Sequence, residues 1–206
     1  VRGDVGVCYV AYGEPARRMA AQSIQSLRQF HDWPVYVIGE QIDGAKHIPF
    51  PRVDAGGRWA KVNLTNLSPF PYTLYLDADT LVRGDLSAGF DILSDGWDAA
   101  IVPSQQQGPE LLWHVTVEER QATLNELEYE PLQLQGGMMF YQNNEAMSRF
   151  FSAWRCEWLR WRGADQGALL RALAQCPLRL WLLGYPWNSG VGTIVSHHFG
   201  RAKSAH

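Results

Sequence analysis

Asp77 and Asp79 close the apolar run Leu74-Tyr75-Leu76, with Thr80-Leu81-Val82 following. On an extended strand, residues two apart point to the same side, so both carboxylates can converge on one cation. Like charges this close repel unless something neutralises them, and a divalent metal does so. Oxygen ligands suit Mg2+ or Mn2+, with pyrophosphate oxygens filling the open positions. At the C-terminal end of a parallel strand, the pair would also lie where open α/β sheets bind ligands. The competing reading is an acidic turn capping Thr80.

A second cluster lies far downstream, in His197-His198-Phe199-Gly200-Arg201-Ala202-Lys203. An imidazole, a glycine and a lysine fall at HxxGxxK spacing. An imidazole can complete a carboxylate-rich metal site and shifts its preference towards Mn2+. Gly200 permits close backbone approach, and Lys203 can neutralise a diphosphate. Standing alone, the segment reads as a basic surface tail. Cys8, Cys156 and Cys176 show neither CxxC nor zinc spacing and read as buried free thiols of a reducing compartment.

These residues need a scaffold. The 206 residues suit one domain spanning 1–206, and 46% apolar content argues for a packed core. The net charge of −3 gives no global attraction to nucleic acid or anionic membranes. No apolar run is long enough to span a bilayer and no signal peptide is apparent, so a cytoplasmic location is expected. Val5 to Tyr12 reads as a buried strand. Pro15 then opens a helix carrying Ala16, Ala20, Ile24 and Leu27 at helical spacing, and 34–39 reads as a second strand. This order predicts a βαβ unit and an α/β fold with a mostly parallel central sheet flanked by helices.

Further along, the pattern predicts a helix from Trp59 to Leu67, stopped by Ser68-Pro69, then strands over 73–79 and 97–104. Residues 105–130 are polar and poorly periodic despite a charged helical piece around "VEERQATLNEL", and read as an acceptor-side excursion. A strand over 136–143 follows. An amphipathic helix then places Phe150, Trp154, Trp158 and Trp161 on one core-facing stripe, leaving Arg155, Arg160 and Arg162 as a solvated face.

"LYLDADTLV" followed far downstream by "HHFGRAK" resembles the nucleotide-sugar-dependent glycosyltransferases of the GT-A fold. The nearest resemblance is to family 8, which includes glycogenin and the bacterial lipopolysaccharide galactosyltransferases. Nearly the whole chain follows that order. "VCYVAYGEPARRMAAQSIQSL" resembles the first strand, nucleotide-contacting loop and helix, and "RWAKVNL" the segment whose basic residues reach the donor. "LQGGMMFY", "GADQGALLRAL" and the Trp-Asn-type strand "YPWNSG" resemble the later elements.

The resemblance implies roles residue by residue. Asp77, Asp79 and His197 would bind Mn2+ (or Mg2+), with His198 competing for the third place. Gly200 and Lys203 would hold the diphosphate of a UDP-sugar donor. Lys61 and Arg58 would contact donor sugar or phosphate. Ala11, Tyr12 and Gly13 would border the nucleobase, and Ala78 would lie against the donor between its two aspartates. Gly136 and Gly137 would let the sugar approach the backbone. Asp165 would accept hydrogen bonds from sugar hydroxyls, although it also reads as a helix N-cap, and Gln166 would lie near the anomeric carbon.

Two departures stand out. Gln135 replaces the family's usual Asn, and Lys203 is followed by Ser-Ala-His rather than Pro-Trp. The expected reaction is hexose transfer to a hydroxyl, with retention. An inverting transferase would need a base such as Glu126, Glu128 or Glu130. A nucleotidyltransferase would also use paired aspartates, but it lacks support from a basic, Gly-rich N-terminal signature. A nucleotide-sugar-binding module is the non-enzymatic alternative. The acceptor class stays open among glycan, protein, small molecule and hydroxymethylated DNA.

Overall fold

The structure is a computed structural model and describes residues 4–54, 56–104, 111–129 and 131–198. Strand β1 (Val5–Ala11) is buried along its whole length, and its alternate side chains feed two cores. Val7, Tyr9 and Ala11 pack on one face with helices α1 (Glu14–Leu27) and α4 (Ser87–Ser94). Cys8 and Val10 pack on the other with α6 (Glu145–Trp161) and α7 (Asp165–Gln175). The result is a sheet between two helical layers, as apolar strands of this kind require.

The main sheet has seven strands. β2 (Val35–Gly39), β3 (Lys46–Ile48) and β4 (Tyr72–Asp77) extend β1 in parallel. On the far side of β4, β7 (Leu134–Gln142) runs antiparallel, followed by β6 (Ala99–Pro103) and the edge strand β8 (Leu180–Leu182). β5 (Thr80–Val82) and β9 (Val195–His197) form a separate antiparallel pair that puts Thr80 opposite His197. The sheet is therefore mostly parallel, as expected, with β7 reversed in its middle. β3, α4, β5, β8 and β9 are not predicted from the sequence.

Three expectations change. The strand predicted over 73–79 ends at Asp77, and Asp79 lies in the turn into β5. The single helix predicted over Trp59–Leu67 is two short ones, α2 (Arg58–Lys61) and α3 (Leu64–Leu67). The break has a local cause: Asn63 Nδ2 donates to the Trp59 carbonyl, a side-chain competitor for the helical ladder. "YPWNSG" was expected as a strand, yet Tyr185–Trp187 is a 3-10 turn, since Pro186 can donate nothing to a sheet.

In α6, Phe150, Trp154 and Trp158 are buried as expected, while Trp161 is half-buried. The same register turns Cys156 outward, so of the three free cysteines only Cys8 is buried. Arg155 and Arg160 are engaged rather than merely solvated, with Asn63 and with Glu126 and Glu157 respectively. In the excursion, α5 (Val117–Leu127) forms where the charged helical piece was read, capped by Thr116. Residues 105–110 and Glu130 lie outside the described residues. Among the described residues, no helix is long and apolar enough to cross a membrane.

Candidate active site

The C-terminal ends of β1 and β4, the turn after β4, and the starts of α2, β7 and α7 surround a cavity of about 680 Å3. That size suits a small-molecule ligand. On one wall, Asp77, Asp79 and His197 each offer a ligand atom, and these atoms all lie within 4.8 Å of one another. The carboxylates converge through the turn rather than through continued extension. Thr80 closes that turn by donating its hydroxyl to the Asp77 carbonyl. The backbone N–H of His198 donates to the Asp79 carbonyl, locking the turn onto the end of β9.

His197 is buried, with Nε2 3.1 Å from Asp79 Oδ1 and 3.8 Å from Asp77 Oδ2. Its Nδ1 donates to Asn188 Oδ1 at 2.8 Å, which orients the ring with Nε2 towards the carboxylates. A cation between them would take the Nε2 lone pair, with Asn188 as the outer partner that orients a metal-binding histidine. Two carboxylates and one such imidazole fit Mn2+ or Mg2+. His197→Ala should abolish Mn2+ uptake in a titration, whereas His198→Ala should leave it within about threefold, given the usual scatter of single-site effects. Loss on the second substitution alone would transfer the ligand role to His198.

Room for the site comes from an irregularity in β7. Ile101 of β6 pairs with Met139, but Val102 pairs with Gln135, so Gly136 to Met138 have no partner on β6, while Met138 still pairs with Leu76 of β4. Both glycines consequently look into the cavity. A methyl group on Gly137 would overlap the His197 ring and come within 2.8 Å of Asp77 Oδ2, while one on Gly136 would stand 3.2 Å from Lys61 Nζ.

Beside the cluster of Asp77, Asp79 and His197 lies a buried ion pair. Lys61 Nζ, at the end of α2, lies 2.7 Å from Asp165 Oδ2 and 3.5 Å from Asp77 Oδ1, and Arg58 Nε lies 3.8 Å from Asp165 Oδ1. Burial favours the neutral amine of Lys61, but the Asp165 and Asp77 charges outweigh it and hold its pKa above the ordinary value. Burial likewise opposes ionisation of Asp165, and Lys61 and Arg58 overcome it, keeping that carboxyl below its usual range. Asp165 is the first residue of α7, not its cap, which is Ala164. Asp54 organises the start of α2 by accepting from the backbone N–H groups of Gly56, Arg58 and Trp59.

At the other end of the cavity, Tyr12 and Gly13 form the β1–α1 loop. Gly13 takes φ +81° and donates its N–H to Glu40, a backbone turn that favours glycine. The Tyr12 hydroxyl donates to the Phe50 carbonyl, which fixes its ring in the wall. Ala78 and Gln166 line the cavity too. Ala11 does not: it is buried in the core between Val10 and Tyr12, which do. Gly200 and Lys203 lie outside the described residues.

Sequence reasoning missed Tyr75, Asn188 and Arg52. Tyr75 and Arg52 line the cavity, and Tyr75 donates its hydroxyl to Asp77 Oδ1 at 2.5 Å. Burial first, then the adjacent Asp77 charge, keep that phenol protonated well beyond its ordinary pKa. Its place two residues before Asp77, on the same face of β4, was the available signal.

No family model and no curated protein matches the sequence. Solved structures do. The galactosyltransferase LgtC, in complex with donor and acceptor sugar analogs, superposes with a TM-score of 0.66 at 15% identity, over 98% of this chain and 89% of that one. Mouse xyloside xylosyltransferase 1 in its apo form gives 0.63 at 12%, over 97% and 99%. The apo form of the glycosyltransferase GlyE of Streptococcus pneumoniae TIGR4 gives 0.64 at 12%, over 95% of this chain and 55% of that one. At these identities the likeness is one of architecture: the chain has the GT-A glycosyltransferase fold.

Proposed function

We propose that the chain is a metal-dependent glycosyltransferase of the family 8 type, moving a hexose from a UDP-sugar to a hydroxyl acceptor with retention at the anomeric carbon. The observation that carries this reading is the convergence of Asp77, Asp79 and His197 in a ligand-sized cavity, with the buried Lys61–Asp165 pair beside them. A Mn2+ or Mg2+ ion held by those three residues would neutralise the diphosphate leaving group.

The chain's own residues then have defined work. Tyr12 and Gly13 border the nucleobase, and the glycines of the β7 bulge let the sugar lie against the backbone. Asp165 accepts hydrogen bonds from sugar hydroxyls, Lys61 and Arg58 reach the donor, and Gln166 lies beside the anomeric carbon. The bond from the anomeric carbon to the diphosphate oxygen breaks as the acceptor oxygen bonds to the same carbon. The acceptor's proton passes to the departing phosphate. Asp165 is committed to Lys61 and is a poor nucleophile, which favours this same-face route over a covalent intermediate.

Neither Glu126 nor Glu128 is among the described residues lining the cavity, and Glu126 is paired with Arg160, which speaks against either as an inverting base. Glu130 lies outside the described residues. The test is a panel of UDP-sugars with Mn2+, read as UDP release and then as product anomer by NMR, with acceptors that include hydroxymethylated DNA. Donor binding with neither hydrolysis nor transfer would reduce the protein to a binding module.

A further inference from the structure

The two carboxylate oxygens of Asp77 face different neighbours. Oδ2 points to His197 Nε2, 3.8 Å away, across the space that Gly137 leaves open. Oδ1 accepts from the Tyr75 hydroxyl at 2.5 Å and lies 3.5 Å from Lys61, whose closer partner is Asp165 at 2.7 Å. The oxygen turned away from His197 is therefore held chiefly by Tyr75. That side chain has little freedom: it is 2% exposed, and β4 pairs it with Cys8 on one side and Met139 on the other. Its ring also lies 5.3 Å from the Lys61 ammonium, which fixes it further.

We propose that Tyr75 is a positioning residue that makes Asp77 a one-oxygen ligand and so selects a small, six-coordinate cation over calcium. The proposal rests on the cation site proposed above. Ca2+ takes six to eight oxygens in flexible geometry and accepts carboxylates through both oxygens, whereas the smaller ions demand near-octahedral order. For Asp77 to close both oxygens on one ion, Oδ1 would have to leave Tyr75. The buried phenol would then lose its acceptor, which buried donors resist. Removing the hydroxyl frees Oδ1 and lifts that restraint while keeping the ring that packs the sheet.

The experiment titrates the full chain with Mn2+ and with Ca2+, each with UDP present, following free Mn2+ by electron paramagnetic resonance and Ca2+ by calorimetry. Unchanged melting of the metal-free Tyr75→Phe protein establishes that it is folded. Relative to the unsubstituted protein, Tyr75→Phe is expected to lose about tenfold or more in Mn2+ affinity, as loss of a ligand-orienting partner does. Its Ca2+ affinity should hold or rise, so the Mn2+-to-Ca2+ ratio falls. An unchanged ratio overturns the proposal while leaving the cation site standing. Absence of Mn2+ uptake by the unsubstituted protein overturns both. If Tyr75→Phe does not fold, Tyr75→Leu is read in the same way.

Discussion

Asp79→Ala is expected to lower Mn2+-dependent turnover of a UDP-sugar donor by about 10^3-fold or more while leaving the fold intact. A metal's charge stabilisation of a transition state is worth several kcal/mol, and about 4 kcal/mol corresponds to that factor. Asp79 supplies the ligand oxygen nearest His197 Nε2, so its loss leaves the site with one carboxylate and one imidazole. The turn survives because it is closed by the Thr80 hydroxyl on the Asp77 carbonyl and by the His198 N–H on the Asp79 carbonyl, neither of which uses the Asp79 side chain. Removing one of two neighbouring carboxylates also relieves repulsion in the metal-free protein. Melting without metal should therefore be unchanged or slightly raised, and the rise in Tm that Mn2+ gives the unsubstituted protein should disappear. Full turnover in Asp79→Ala would sink the mechanism.

The aspartate pair and the histidine stood out because each is a local pattern: carboxylates ending an apolar run, an imidazole at fixed spacing from a glycine and a lysine. How they meet was not legible. The strand stops at Asp77, and it is the pairing of β5 with β9, two strands of three residues, that carries His197 to the turn. Strands so short have no period to read. Asn188 was equally hidden, since its role depends on a contact with His197 that only the folded chain makes. Gly136 and Gly137 were picked out as places where a sugar would approach the backbone, but two successive strand residues should face opposite sides. Only the bulge opposite Ile101 and Val102 turns both inward.

The excursion teaches the same lesson in a different way. Its helix α5 buries Glu119, Thr123 and Leu127, one face at intervals of a helical turn, yet two of these three are polar. A search for apolar periodicity sees nothing there. Beside the small apolar cluster of Leu124 and Leu127 with Leu111, Leu112 and Leu170, a buried ionic cluster holds the helix. Arg171 of α7 is 1% exposed and reaches Glu157 Oε2 of α6 at 2.7 Å and Glu119 Oε1 of α5 at 3.3 Å, and it also donates to the Thr123 hydroxyl. Glu157 accepts further bonds from Arg160 and Gln175. The two carboxylates respond differently. Burial opposes ionisation of Glu157, but its several donors prevail and its pKa falls, whereas at Glu119 burial prevails over Arg171 and the pKa rises.

Arg171→Met should consequently cost about 3–5 kcal/mol, because it leaves buried carboxylates without their cation, and lower Tm by on the order of 10 °C. The sign of the pH dependence distinguishes this cause from a simple packing defect. Without Arg171, the folded-state pKa of Glu119 rises further above its unfolded value, so the native variant binds more protons than the unfolded chain. Its stability then falls as pH rises through that range. The deficit relative to the unsubstituted protein should be smaller near about pH 5 than near about pH 7.5, measured by denaturant unfolding at each. A deficit independent of pH would assign the loss to packing. The site should feel the change as well: Glu119 lies against Gly163 and Gly167, which flank the Asp165–Gln166 start of α7. Replacing Glu119, Arg171 and Glu157 together by Leu, Met and Leu should recover much of the stability, since apolar residues of similar volume often substitute for a buried ionic triad. If donor affinity stays low in that stable triple variant, the cluster serves to hold α7 in register with the cavity and not merely to hold the fold together.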